Sequence, residues 1–125
     1  MSRQLLLESF IHPAINARMG GGYEETLNEV IHAIANNPIV IVGMKQNPFC
    51  KTVRKNLDLE ILSYHYLEYG SYFRDWRRRL ALKMWSGWST FPMVFVRGQL
   101  VGGSQDVDAL LASGELRKLL DHANN

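Results

Sequence analysis

The chain reads as an α/β protein: a central four-stranded mixed sheet flanked by helices, with a helical extension at the N-terminus. Three observations predict this. Ile39-Val40-Ile41-Val42 is a run of β-branched residues between Pro38 and Gly43, the pattern of a strand buried on both faces. Directly after it, Asn47-Pro48 opens a helical pattern, because Asn is a strong N-cap and Pro suits the first helical position. Further on, Pro92 to Arg97 followed by Gly98 and a short run through Val101 reads as a hairpin.

Size and composition bound the function. A length of 125 residues points to one domain with a modest core. Hydrophobic content of 46% and charged content of 21% are ordinary for a globular protein. A net charge of +2 is too small to argue for nucleic acid. The single cysteine excludes an internal disulfide. No apolar run reaches the roughly 18 residues of a membrane span. Leu5-Leu6-Leu7 followed by Glu8 is too short for a secretory leader, so the expected setting is cytoplasmic.

In order, Ser2 to Ala17 is a weakly amphipathic segment broken by Pro13, and Gly20-Gly21-Gly22 is a hinge or linker. Residues 1–22 are therefore set apart as an extension, with the domain over 23–125. From Glu24, Leu27, Val30, Ile31 and Ile34 give a helix that Asn36-Asn37-Pro38 stops. The buried strand follows, then a helix with Phe49, Val53 and Leu57 on one stripe and Cys50 at its edge. Ser63 to Tyr69 is a second, aromatic-rich strand. Tyr72 to Trp85 is helical, with Phe73, Trp76, Leu80 and Met84 as its apolar stripe, and Gly87 ends it. After the hairpin, Ser104 is a candidate N-cap for a helix burying Val107, Leu110 and Leu111. Gly114 interrupts, and Leu116, Leu119 and Leu120 mark a last helical stretch.

Where the first strand meets the Asn47-Pro48 helix, free backbone N–H groups and the positive end of a helix dipole gather, which suits an anion or a thiolate. Cys50 is the obvious reactive group, but on a stripe with Val53 and Leu57 it reads first as a small core residue. Arg74, Arg77, Arg78, Arg79 and Lys83 with Trp76 and Trp85 make a basic, aromatic helix. It reads first as a helix that buries its aromatics and solvates its arginines, ahead of an acidic protein partner or nucleic acid, for which no binding motif is present. His12, His32, His65 and His122 show no metal spacing.

Four stretches carry a resemblance to a known family. Asn47-Pro48-Phe49-Cys50-Lys51 resembles the glutaredoxin motif Cys-Pro-Tyr-Cys-Lys with its first cysteine replaced by asparagine. Met44-Lys45 resembles the Met-Lys-Gly of monothiol glutaredoxins, Trp88-Ser89-Thr90-Phe91-Pro92 their Trp-Pro-Thr-Phe-Pro, and Val101-Gly102-Gly103 their Val-Gly-Gly. The resemblance spans roughly Glu24 to Leu120 and implies a thioredoxin-like fold.

It also implies a cleft for glutathione, lying as an added strand along Phe91 before a cis Pro92. Lys45 matches a lysine that meets a glutathione carboxylate, and Arg79 and Lys83 match basic positions in the helix before the Trp-Pro-Thr-Phe-Pro motif. Gly103 and Ser104 match the helix start that receives the γ-glutamyl carboxylate, while Gln105 stands where relatives carry Asp. Asn47 at the nucleophile position, with Phe49 beside it, can neither attack a disulfide nor ligate a [2Fe–2S] cluster, which takes thiolates. The expected function is thus a non-catalytic or weakly active binding module for glutathione, a glutathionylated protein or another partner. The alternative is a monothiol, glutathione-dependent oxidoreductase or iron–sulfur-related glutaredoxin working through Cys50. An alignment that makes Cys50 the nucleophile costs the match of Val53 and Leu57 to the family's helix spacing.

Overall fold

A computed structural model describes residues 2–122. After a 3₁₀ turn at Glu8–Phe10 come α1 (Pro13–Arg18), α2 (Glu24–Asn36), β1 (Ile39–Gly43), α3 (Pro48–Leu59) and β2 (His65–Glu68). Then follow α4 (Trp76–Ser86), β3 (Met93–Val96), β4 (Gln99–Gly102), α5 (Ser104–Ser113) and α6 (Glu115–His122). The strands form one four-stranded sheet in the order β2-β1-β3-β4. β1 and β2 are parallel, joined by α3, and β1–β3 and β3–β4 are antiparallel.

The sheet works by its period of two. In β1, Val40 and Val42 face the side covered by α2 and α4, with Val30, Leu82, Met93 and Phe95. Ile39 and Ile41 face the opposite side, with Val53, Leu57, Val94, Val96, Val107 and Leu116 from α3, α5, α6 and β3. All residues of β1 and β3 are buried, as strands at the centre of a two-faced sheet must be. Arg97 and Gly98 both have positive φ (49° and 82°) and close the β3–β4 hairpin in two residues, the primed turn that matches strand twist.

Three expectations shift, and one question that the sequence leaves open is answered. Pro13 starts a helix instead of breaking one: His12 caps α1, its Nδ1 accepting from the Ala14 N–H at 3.1 Å, and Pro sits at the first helical position. The sequence does not say where residues 2–22 lie, and the structure sets them against the domain. Arg3 donates to the Ser86 carbonyl, and Gly20 lies so close to Ala81 that a β-carbon would stand 2.6 Å from its Cα, so this segment lies along α4. Ser104 is the first residue of α5, and Gly103 is the cap, its N–H donating to the Asp106 carboxylate at 2.9 Å.

The last shift is the largest. The α4 stripe read as apolar faces outward: Phe73 precedes the helix and is 88% exposed, and Trp76 is 57% exposed, while Ala81, Leu82 and Arg79 are buried. The cause is the preceding turn. Ser71 and Arg74 pair across a tight bridge, Asp75 takes a left-handed φ of 60°, and the helix starts only at Trp76. The Tyr69 carbonyl is left in need of a donor, and the Arg79 guanidinium turns inward to it and also to the Arg74 carbonyl, which the Ser71 N–H already meets. The helix thus buries an arginine and exposes a tryptophan, the reverse of the sequence reading.

One position is strained for no packing gain. Ile61, just after α3, has φ 56° and is 92% exposed. A β-branched side chain in the left-handed region costs roughly 1–2 kcal/mol. Ile61→Gly should therefore raise stability by about 0.5–1 kcal/mol, once the larger freedom of glycine in the unfolded chain is subtracted. Urea denaturation of the two proteins side by side measures it.

Candidate functional site

A cleft of about 520 Å³ opens at the C-terminal end of β1, between the loop into α3, the segment leading to β3, and the start of α5. Its position follows from the fold. β1 ends at Gly43, and the chain must leave the sheet there to begin α3. β3 starts beside it at Met93, and the hairpin returns α5 to the same end.

Asn47 is the keystone of this site. It is 7% exposed, and its Oδ1 accepts from the Phe49 and Cys50 N–H groups at 2.9 and 3.1 Å. Its Nδ2 donates across the cleft to the Phe91 carbonyl at 3.3 Å. One carboxamide thus caps α3 and ties it to the segment before β3. The Phe91–Pro92 peptide is cis. The Phe91 N–H has no partner among the described residues, which leaves an open backbone donor on the cleft wall.

Arg79, Lys83, Asn47, Phe49, Phe91, Pro92, Gly103, Ser104 and Gln105 all line this cleft. Lys45 does not: it is exposed on the loop, its N–H bound to the Gly70 carbonyl at 2.7 Å. Phe49 leaves the core stripe expected of it and stands half exposed at the rim. Arg79 is buried and committed to the Tyr69 and Arg74 carbonyls, and burial lowers its pKa. Lys83 lies 5.8 Å from the centre of the Phe91 ring. With these two cations and the N-terminal ends of α3 and α5, the cleft is electropositive. Asp106 is its one lining carboxylate, and the Gly103 N–H holds it.

Sequence reasoning did not name Met44, Tyr72, Trp88, Ser89, Thr90 or Asp106 as lining residues, although Met44 and Trp88 to Thr90 stand in the motifs that carry the resemblance. Asp106 carried a usable signal, since an acid three residues after a Gly at a helix start is a capping pattern. Tyr72 carried none, because it was read as part of α4 and instead stands on the turn before it.

Cys50 lies behind the cleft and not in it. It is 0% exposed, packed with Val40, Val42 and Met44, and its Sγ is 3.0 Å from where a β-carbon on Gly43 would stand. Burial pushes its thiol pKa up, and the hydrogen bond from the Met44 backbone and the charge of Arg54 only partly offset this. A nucleophilic cysteine needs the opposite shift. Among the described residues no group of three His, Cys, Asp or Glu side chains could hold a metal, and no helix is long and apolar enough to cross a membrane.

Comparison with known proteins gives a consistent picture. The glutaredoxin family model matches residues 39–101. A glutaredoxin-like protein of Dictyostelium discoideum is 45% identical over 94 residues, covering 75% of this chain and 76% of that protein. Monothiol glutaredoxin-S17 of Arabidopsis thaliana is 36% identical over 104 residues, 79% of this chain but only 21% of that much longer protein. Among solved structures, oxidized glutaredoxin 2 of Chlamydomonas reinhardtii superposes with a TM-score of 0.68 at 29% identity, covering 82% of this chain and 97% of that one.

The raised Cys50 pKa gives stability a pH dependence. An unfolded cysteine ionises near pH 8.5, whereas the native thiol resists. The buried thiol's contribution is therefore complete below about pH 8.5 and is lost as pH climbs toward the native value, because the unfolded chain releases its proton first. Urea midpoints measured from pH 7 to pH 10 should fall more steeply for the native sequence than for Cys50→Ala. Equal slopes would mean that the thiol is not held in its neutral form.

Proposed function

Since this chain belongs to the glutaredoxin family and has its thioredoxin-like fold, we propose that it is a non-catalytic or weakly active member whose cleft binds glutathione or a glutathionylated protein, with Asn47 at the position of the family's nucleophile. We place it in the cytoplasm on the same reading. The observation that carries it is the arrangement around Asn47. A carboxamide fills the helix start where the family's chemistry needs a thiolate, and all its strong acceptor capacity goes to Phe49 and Cys50. The cleft nonetheless keeps what a γ-glutamyl tripeptide requires. The Phe91 N–H is open for strand-like pairing, and Arg79 and Lys83 supply positive charge at one end. The start of α5 at Gly103, Ser104 and Gln105 supplies amides at the other. Lys45, exposed beside the cleft, can meet a carboxylate that extends past its edge.

An iron–sulfur cluster does not fit these residues. Asn47 offers no thiolate, and the only sulfhydryl is buried behind the cleft with a raised pKa. The same burial argues against the reading in which Cys50 attacks a disulfide, because thiolate and access are both lacking.

Two outcomes follow. Titrating glutathione into the protein should shift the backbone amides of Phe91, Gly103 and Ser104, and Lys83→Ala should weaken binding by several-fold. A flat titration at millimolar glutathione would remove the cleft from the account. Asn47→Cys should fold, since losing the cap costs about 1 kcal/mol against a typical total of about 5–15 kcal/mol. The new thiol sits at a helix N-terminus, which favours its thiolate. The variant should gain glutathione-dependent reduction of mixed disulfides that the native sequence lacks. Native turnover that vanishes in Cys50→Ser would sink the proposal.

A further inference from the structure

The segment formed by residues 2–22 creates a second cavity, away from the cleft. It lies between the Gly20–Gly22 turn and the outer side of α4, with a volume of about 740 Å³, within the range of small-molecule sites. Three features of its lining belong together.

The first is charge. Arg18, from the last turn of α1, and Arg77, from α4, both line the cavity, and no Asp or Glu does. Neither arginine has an ion pair or side-chain hydrogen bond among the described residues. Glu24 and Glu25, in the first turn of α2, follow Tyr23 but are not part of the lining. Two guanidinium groups lining one concavity without an acidic partner repel each other, and an anion between them removes that repulsion.

The second feature is bare backbone. Gly20, Gly21 and Gly22 all line the cavity, so no side chain keeps a ligand from the main chain there. The Gly21 N–H is used, donating to the Asn16 carbonyl at 3.0 Å, while the N–H groups of Gly20 and Gly22 have no partner among the described residues. Glycine amides exposed in a turn are the usual backbone donors to phosphate oxygens.

The third is a flat apolar wall. Trp76 lines the cavity while more than half exposed, and Tyr23 and Leu80 complete that side. The Arg77 guanidinium lies over the Trp76 ring, 5.1 Å from its centre, so cation and indole are presented together. A ligand that is anionic at one end and planar at the other matches all three features. We propose that this cavity binds a nucleoside phosphate, with the base on Trp76 and the phosphates between Arg18, Arg77 and the glycine amides. The site shares no lining residue with the cleft, and it stands or falls independently of glutathione binding.

The probe is ADP, titrated into the full chain at low salt and followed by amide and indole NMR shifts. Saturable shifts should appear at Gly20, Gly22 and the Trp76 indole, and added glutathione should leave them unchanged. Arg18→Gln and Arg77→Gln, both surface changes, should each weaken ADP binding about tenfold, with unaltered melting temperatures. Adenosine alone and inorganic phosphate alone should each bind at least about tenfold more weakly than ADP. Three results would overturn the proposal. One is the absence of shifts at those residues with several millimolar ADP. Another is binding that neither substitution affects. The last is tripolyphosphate binding as tightly as ADP, which would leave the ring wall without a role.

Discussion

Burial of β1 on both faces is the constraint from which the remaining architecture follows. Four consecutive β-branched residues that must all avoid water cannot sit at an edge or on a half-exposed sheet. They require strands on either side, supplied by β2 and β3, and helices above and below, supplied by α2 and α4 on one face and by α3, α5 and α6 on the other. A strand so enclosed can reach solvent only at its ends. The C-terminal end is where the chain turns into α3, and that is where the cleft lies. Asn47 then holds the cleft's two walls in register, because its carboxamide has one group for each.

Where sequence and structure agree, the signal was a periodicity with a single solution. The unbroken β-branched run of β1, the stripe of Val53 and Leu57, and the turn at Gly98 each had one way to pack. Asn47, Phe91, Pro92 and Gly103 were named as cleft residues through the resemblance of their motifs to glutaredoxins, and the structure brings the four to one concavity. Where the reading failed, the deciding factor was distant. Nothing near Arg79 in sequence announces that the Tyr69 carbonyl, ten positions earlier, needs its donor. Nor does anything in Gly20-Gly21-Gly22 reveal Ala81, whose backbone leaves Gly20 no room for a side chain. In both cases a residue type usually found on the surface or in a linker is held by a contact that only the fold creates.

The two concavities divide the charge of α4. Arg79 and Lys83 face the cleft, and Arg77 faces the segment formed by residues 2–22. On one helix, residues two apart point in different directions, so this split needs no special geometry. It does explain why a basic helix in a chain of net charge +2 forms no single positive face. The arginines are distributed between backbone carbonyls, one cavity and the solvent.

The order of the strands also bears on how the chain reaches this state as it is synthesised. β1 is made early, but one of its flanking strands, β3, lies in the last third of the sequence, with Ile41 opposite Val94. Until Val96 has left the ribosome, the most apolar strand has at most its parallel neighbour β2 and one unprotected edge. Pairings this remote in sequence close slowly, since the intervening loop must be ordered before the contact rewards it. A chain in which β3 has not yet been made therefore leaves the apolar Ile39 to Val42 strand with one unpaired edge, and exposed edges of that kind invite association.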